Sequence, residues 1–209
     1  MVEHVSILDA DRHEPRGASI AALNQVLHSN GDGTTTFKSV DYSNLTNVPA
    51  LSGYVQTFAA SSIAGTQAPT ALDTPLQVEF GPAITTTDVT LDAAGLVTFN
   101  TAGQYIITVF FRFGRTTGAG TAILLNRFLV NGVQGLNSTA FKLADADTVV
   151  PFSASVAFTA APGDTYVQQI MRDSGGVNNG GLFRVAPTVL PWNPAPSATL
   201  VISKHVGRV

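Results

Sequence analysis

Between Leu76 and Lys204 the chain is written in short apolar runs separated by turn residues. The runs are Leu76 to Phe80, Val89 to Leu91, Leu96 to Phe99, Gln104 to Phe113, Ala122 to Val130, Val149 to Phe158, Thr165 to Arg172, Leu182 to Val189 and Ala198 to Lys204. Asn131-Gly132, Ala161-Pro162-Gly163-Asp164, Gly175 to Gly181 and Pro-rich stretches break them. Alternation of this kind, bounded by Gly, Pro and Asn, is the signature of strands. No helical period interrupts the series, so crossover helices and a parallel sheet are excluded. The pattern predicts an all-β fold, an antiparallel jelly-roll sandwich over 76–209.

Gln104 to Phe113 carries the strongest pattern. It places Tyr105, Ile107, Val109, Phe111 and Phe113 on one face and Ile106, Thr108, Phe110 and Arg112 on the other. Both faces are largely apolar, whereas a strand of an isolated sandwich keeps one face wet. Either loops cover a fully central strand, or a second subunit covers Phe110 or the Phe111 side.

Ahead of this region the pattern changes. Gly17 to His28 repeats Ile20, Leu23 and Leu27 at helical spacing, which predicts one short helix in an otherwise irregular arm over 1–50. Ser29-Asn30-Gly31-Asp32-Gly33 supplies the positive φ of a tight turn and predicts a hairpin or loop tip. Residues 51–75, rich in Ser, Thr, Pro and Gly, read as a linker. An arm of this size buries too little surface to offset its chain entropy, so it is expected to need a partner.

Charge sharpens the division. Of 209 residues only 12% are charged, and the net charge of −3 comes from the first 48, where Glu3, Asp9, Asp11, Glu14, Asp32 and Asp41 outnumber Arg12, Arg16 and Lys38. Without a basic patch, nucleic acid is not an expected partner. No apolar run approaches a membrane span or a signal peptide, so membrane insertion is not expected. The chain has no Cys, which removes disulfides, thiolate metal sites and thiol nucleophiles.

Candidate chemistry is thin. Asp9 with Asp11 and Asp145 with Asp147 offer paired carboxylates, but neither pair has the glycine and distal glutamate of a calcium loop. His13-Glu14-Pro15-Arg16-Gly17 combines a carboxylate-flanked imidazole with two residues that shape the chain, which favours docking on a partner over acid–base catalysis. The hydrolytic motifs are missing, and Glu79 and Asp164 are the only strand-end carboxylates on offer as a glycosidic pair. No enzyme activity, metal or cofactor is expected. Trp192, in a Pro-locked loop, is expected to cover the end of the sandwich, the other reading being a platform for a sugar ring.

Ala94 to Phe113, AGLVTFNTAGQYIITVFFRF, resembles the core of the tumour-necrosis-factor and complement-head type of jelly roll, in which a short strand leads through a Gly-x-Tyr turn into a long aromatic strand. Phe128 to Gly132, Ala161 to Asp164 and Ser197 to Lys204 resemble that family's Asn-Gly hairpin, Gly-Asp turn and closing strand, in the family's order. The resemblance implies a homotrimer, with Tyr105, Phe110, Phe111 and Phe113 at its interface. The first part is similar instead to the start of bacteriophage head-fibre or capsid-decoration proteins, in His13 to Gly17, Val26 to Gly33 and the connector phrase Tyr42 to Pro49, where Tyr42 replaces the usual Trp. That similarity implies that His13, Glu14, Pro15, Arg16 and Gly17 dock on a major capsid protein. The combined expectation is a virion structural protein, made in the host bacterial cytoplasm, that decorates or cements a tailed-phage capsid with its jelly roll outward. The alternative is a tail-fibre module whose loops bind host-surface glycan.

Overall fold

A computed structural model describes residues 25–39, 53–62, 65–116, 118–135, 138–144, 146 and 149–206. The chain divides into two compact units, Met1–Pro49 and Ala50–Val209.

In the first unit, β1 (Gln25–Ser29) and β2 (Thr35–Ser39) form an antiparallel hairpin. Its tip is the one the turn residues predict. Gly31 and Gly33 take φ of +82° and +85°, and the Asp32 carboxylate accepts from the Thr34 amide at 2.8 Å. The expected helix over 17–28 is corrected at its end, where Gln25 to His28 belong to β1; residues 17–24 lie outside the described residues. The tight tip brings Thr35 to Ser39 alongside, and pairing with that strand satisfies backbone groups that a helix would have used internally.

The second unit is the predicted jelly roll. One sheet contains β3 (Gly53–Ser62), β8 (Gly103–Gly114), β12 (Val149–Ala160), β14 (Gly181–Leu182) and β15 (Ala198–Val206), in the order β12-β8-β15-β3 with β14 alongside β8. The other contains β4 (Leu76–Gln77), β5 (Ile84–Thr85), β6 (Val89–Leu91), β7 (Val97–Phe99), β9 (Ala122–Val130), β10 (Val133–Gln134), β11 (Thr139–Leu143) and β13 (Thr165–Arg172). Its path is β10-β9-β13-β7-β6-β5, with β11 on β9 and β4 on β13. Every named strand pair is antiparallel, and the chain crosses repeatedly between sheets, as double Greek keys require.

The core lies between the sheets. β8 supplies Tyr105, Ile107, Val109, Phe111 and Phe113, all buried, and they meet Phe80, Phe99, Leu124, Ile170 and Leu200. Phe111 stacks near Phe80 at 6.1 Å and meets Phe113 edge-on at 5.7 Å, while Phe113 lies 4.1 Å from Phe141. Each fully buried Phe contributes about 2–3 kcal/mol of transfer free energy. Three of the residues expected at a subunit interface are therefore core residues: Tyr105, Phe111 and Phe113 are 0%, 1% and 0% exposed. The opposing sheet of the same chain already covers the Phe111 side.

The linker over 51–75 is also corrected, because it holds β3, paired along β15 from Gly53↔Val206 to Ser62↔Ala198. Phe58 and Ala60 face the core and Ser62 is buried, but Ala60 and Ser62 are so small that the strand's inward face does not stand out in composition. Further along, Gln67 and Leu182 exchange backbone hydrogen bonds at 2.9 and 2.8 Å. The run Leu182 to Val189 is strand only at Leu182, because after Phe183 the chain leaves the sheet in a loop.

Two devices hold the turns and layers. In the β6–β7 turn, Gly95 has φ +88° and packs its α-carbon against the Val78 carbonyl, while Asp92 accepts from the Leu96 amide at 2.7 Å. At one end of the sandwich, Lys204 of β15 bonds Asp88 and Thr101 of the other layer, each at 2.6 Å, and its ammonium stands 5.7 Å from the centre of the Tyr105 ring. The Lys204 hydrogen bond, followed by that of Thr101, holds the Asp88 carboxyl below the ordinary carboxylate range. The same bond to Asp88 raises Lys204.

Gly95→Ala should cost at least about 2 kcal/mol in chemical denaturation, because an alanine there combines left-handed backbone strain with a methyl inside the Val78 carbonyl. The Asp88–Lys204 tie should stabilise the fold by at most about 1 kcal/mol at neutral pH, since both groups keep some solvent contact. With the Asp88 pKa depressed on folding, that contribution is complete above the usual carboxylate pKa of about 3.9 and fades as pH falls below it. With Lys204 raised, it also fades as pH climbs through the lysine range. The stability gap between the unmodified chain and Asp88→Asn, followed by urea unfolding, should narrow on both flanks. A gap independent of pH would refute the tie.

Candidate functional site

Strand alternation turns the even-numbered side chains of β8 away from the core. Ile106 and Thr108 are half-buried there and Phe110 is 46% exposed, one of the large apolar side chains left open on the molecule. β15 adds Thr199, Val201 and Ser203, β12 adds Ser153, Ser155 and Ala157, and β3 adds Ala59 and Ser61, as their registers with β8 and β15 require. Hydroxyls on this face bond one another, Ser61 with Thr199 at 2.9 Å and Thr108 with Ser155 at 2.8 Å, leaving little polarity for water.

The face is almost without charge. Between Arg112 near one end and His205 near the other, β3, β8, β12 and β15 turn no ionised side chain outward. Beside Phe110 lies an open hollow of about 420 Å³ bordered by Arg112, Pro151, Ser153, Pro196 and Thr199. β12 forms one edge of this sheet, and its twelve residues, VVPFSASVAFTA, contain no charge. Soluble proteins ordinarily guard such an edge with Lys, Pro or a bulge, and Pro151 is the one guard present. Depletion of charge around an aromatic anchor marks the central part of protein–protein interfaces. Of the four residues expected at an interface, Phe110 alone is available on this surface. The remainder of the face was legible only as missing Lys and Glu at alternate positions.

At the loop between β14 and β15, Val185 and Ala195 exchange backbone hydrogen bonds at 3.1 and 2.9 Å and close a tip. Val189, Leu190 and Trp192 on that tip are 63%, 90% and 74% exposed. The expectation that Trp192 covers the end of the sandwich is thus corrected, since its indole faces solvent. The Gly-rich Gly175 to Gly181 is pinned rather than free: Arg172 donates to the Gly180 carbonyl at 2.9 Å and to Asn178 at 3.0 Å.

The Asp164 carboxylate has structural work. Asp164 accepts from the Ala161 amide at 2.7 Å and from Asn131 at 2.8 Å, and these bonds, the first named larger, lower its pKa. They join the Asn131-Gly132 hairpin, with φ of +50° and +76°, to the turn that begins β13. Glu79 lies in the loop after β4 and its amide donates to Gln67 at 2.7 Å, so the two carboxylates sit on separate elements. Among the described residues no three His, Cys, Asp or Glu side chains gather as a metal site. His13, Glu14, Pro15, Arg16 and Gly17, with Asp9, Asp11, Asp145 and Asp147, lie outside the described residues.

No family model matches the chain. No curated protein matches it either. Among solved structures, the Eiger TNF of S. frugiperda is similar at 15% identity and a TM-score of 0.45, covering 72% of this chain and 92% of its own. Murine APRIL, solved at pH 5.0, is similar at 13% identity and a TM-score of 0.43, covering 73% of this chain and 99% of its own.

Proposed function

We propose that the chain is a homotrimeric virion surface protein that decorates or cements a tailed-phage capsid, its N-terminal arm docked on the major capsid protein and its jelly roll outward. The observation that carries self-association is the uncharged sheet face around Phe110 beside the uncharged β12 edge. A face meeting an edge is a heterologous contact, and repeated around a threefold axis it closes a ring. The division of the chain at Pro49 supports a separate docking arm, as does the resemblance of that arm to capsid-decoration proteins. Three weak arms on one rigid head bind by avidity when the shell presents three sites at matching spacing.

A second reading, a tail-fibre module that contacts host-surface glycan, has one specific observation in its favour. Trp192 and Leu190 stand exposed on a pinned loop, and an open indole is a suitable platform for a sugar ring.

Light scattering should give a mass near three times the chain mass of 21.8 kDa, and monomer at micromolar concentration would overturn the trimer. Phe110→Asp should yield a folded monomer, whereas Phe111→Asp should cost about 3–5 kcal/mol or prevent folding, because it places an unpaired charge in the core. Removal of residues 1–49 should leave a trimer that no longer binds capsids. Gold-labelled antibody against residues 76–209 should spread over the heads of intact virions, and label confined to tails would favour the fibre reading.

A further inference from the structure

The loop between β14 and β15 and the hollow beside Phe110 meet at one residue. Arg112 holds both stems of the loop through its backbone, its amide donating to the Ser197 carbonyl at 3.1 Å and its carbonyl accepting from the Phe183 amide at 2.9 Å. On the other edge of β8 the same residue stands opposite Pro151 of β12, and its side chain borders the hollow. Loop and hollow therefore lie at one level of the sheet, the loop on the β15 side of β8 and the hollow towards β12.

Their chemistries match. From Val185 to Pro196 the loop reads VAPTVLPWNPAP, without a charge and with four prolines, so its tip has little chain entropy left to lose on meeting a partner. Val189, Leu190 and Trp192 on that tip are open to solvent. The hollow is walled by Phe110, Pro151, Phe152 and Pro196, and its charged border is Arg112, which pairs with no carboxylate among the described residues. A carboxylate placed here would give up hydration against apolar walls. An indole gives those walls apolar contact and the guanidinium a π face, Trp being the best aromatic partner of a cation. A cavity of about 150 Å³ accommodates benzene, so the hollow's 420 Å³ admits an indole with a leucine beside it. The chain's own tip leaves that space open, for Trp192 borders a separate surface with Pro191 and Asn193.

We propose that the tip of one copy, Leu190 and Trp192 foremost, seats in the hollow of the next, with the indole against Phe110 and Arg112. This contact, which rests on the trimer reading, names the segment and the pocket that join each pair of copies. Where the β12 edge of one copy meets the face of another, Pro151 and Ser153 carry the hollow into the contact, and the receiving copy raises its tip beside that face. Rotation about an axis along β8 keeps the Arg112 level common to every copy, so three equal contacts form and no tip is left over.

Trp192 is the chain's only tryptophan, so intrinsic fluorescence reports on the tip alone. In the full chain, followed together with light scattering, the trimer should emit at shorter wavelength than the Phe110→Asp monomer and be quenched severalfold less efficiently by acrylamide. Trp192→Ala, at an exposed position on which the fold of one chain does not depend, should raise the concentration at which trimers dissociate by about tenfold or more, as loss of a buried aromatic anchor does. Ser153→Lys, which fills the hollow from an exposed position of β12, should do the same, and the two together should weaken the trimer little further than either alone. Monomer throughout would overturn the trimer and this contact with it. A trimer whose Trp192 is quenched as readily as in the monomer would overturn the tip contact alone, leaving the trimer in place and the tip open to a glycan. Strict additivity of the two substitutions would also overturn the contact.

Discussion

The structure is organised by the demand that β8 be buried on one face and paired on both edges at once. Its twelve residues pair with β12 along the whole strand on one side and with β15 on the other, with β14 alongside its end. Both edges being occupied, its backbone needs no solvent, and its inward Tyr105, Ile107, Val109, Phe111 and Phe113 need an apolar layer opposite them. β7, β9 and β13 provide that layer. Because side chains alternate, the same placement turns Ile106, Thr108 and Phe110 outward. The core and the candidate interface are thus two sides of one strand, and neither can be changed without regard to the other.

Short strands around this centre depend on polar ties at their ends. Asn131 and Asp164 fasten one hairpin to the start of β13, Asp92 and Gly95 close the β6–β7 turn, and Lys204 joins the closing strand to Asp88 in the opposite layer. These residues include several of the chain's few charges, which explains how so sparsely charged a protein fixes its register. They also account for carboxylates that would otherwise invite a catalytic reading. Asp164 and Asp88 accept hydrogen bonds that hold loops and layers, and their lowered pKa values follow from those bonds.

Against this rigid centre, the uncovered regions differ in chemistry. The outward face of β8 and the β12 edge are broad and nearly neutral, suited to another protein surface. The tip at Val189 to Trp192 is small and strongly exposed, suited to a local contact.

Alternation, turn residues and the absence of helical period made the all-β class, the jelly-roll type and most strand positions readable before any coordinates. β6, β9 and β13 begin and end where their apolar runs do, with Asp88, Asp92, Asn131, Asp164 and Asp173, all of a type disfavoured in strands, at five of the six ends. The Asn131-Gly132 and Gly31 to Gly33 tips were equally plain, because positive φ is a local property of residue type. Strands whose apolarity is weak were not readable. β3 is rich in Ala and Ser and becomes a strand by pairing with β15, and β11 becomes one by pairing with β9. The aromatic alternation of β8 announced that one side would be buried and the other unusual, but which residues met the opposing sheet awaited the packing. Local periodicity assigns side chains to a face, whereas contact with the rest of the chain decides whether that face becomes interior, and only the assembled sheets could place Phe111 in the core and leave Phe110 outside.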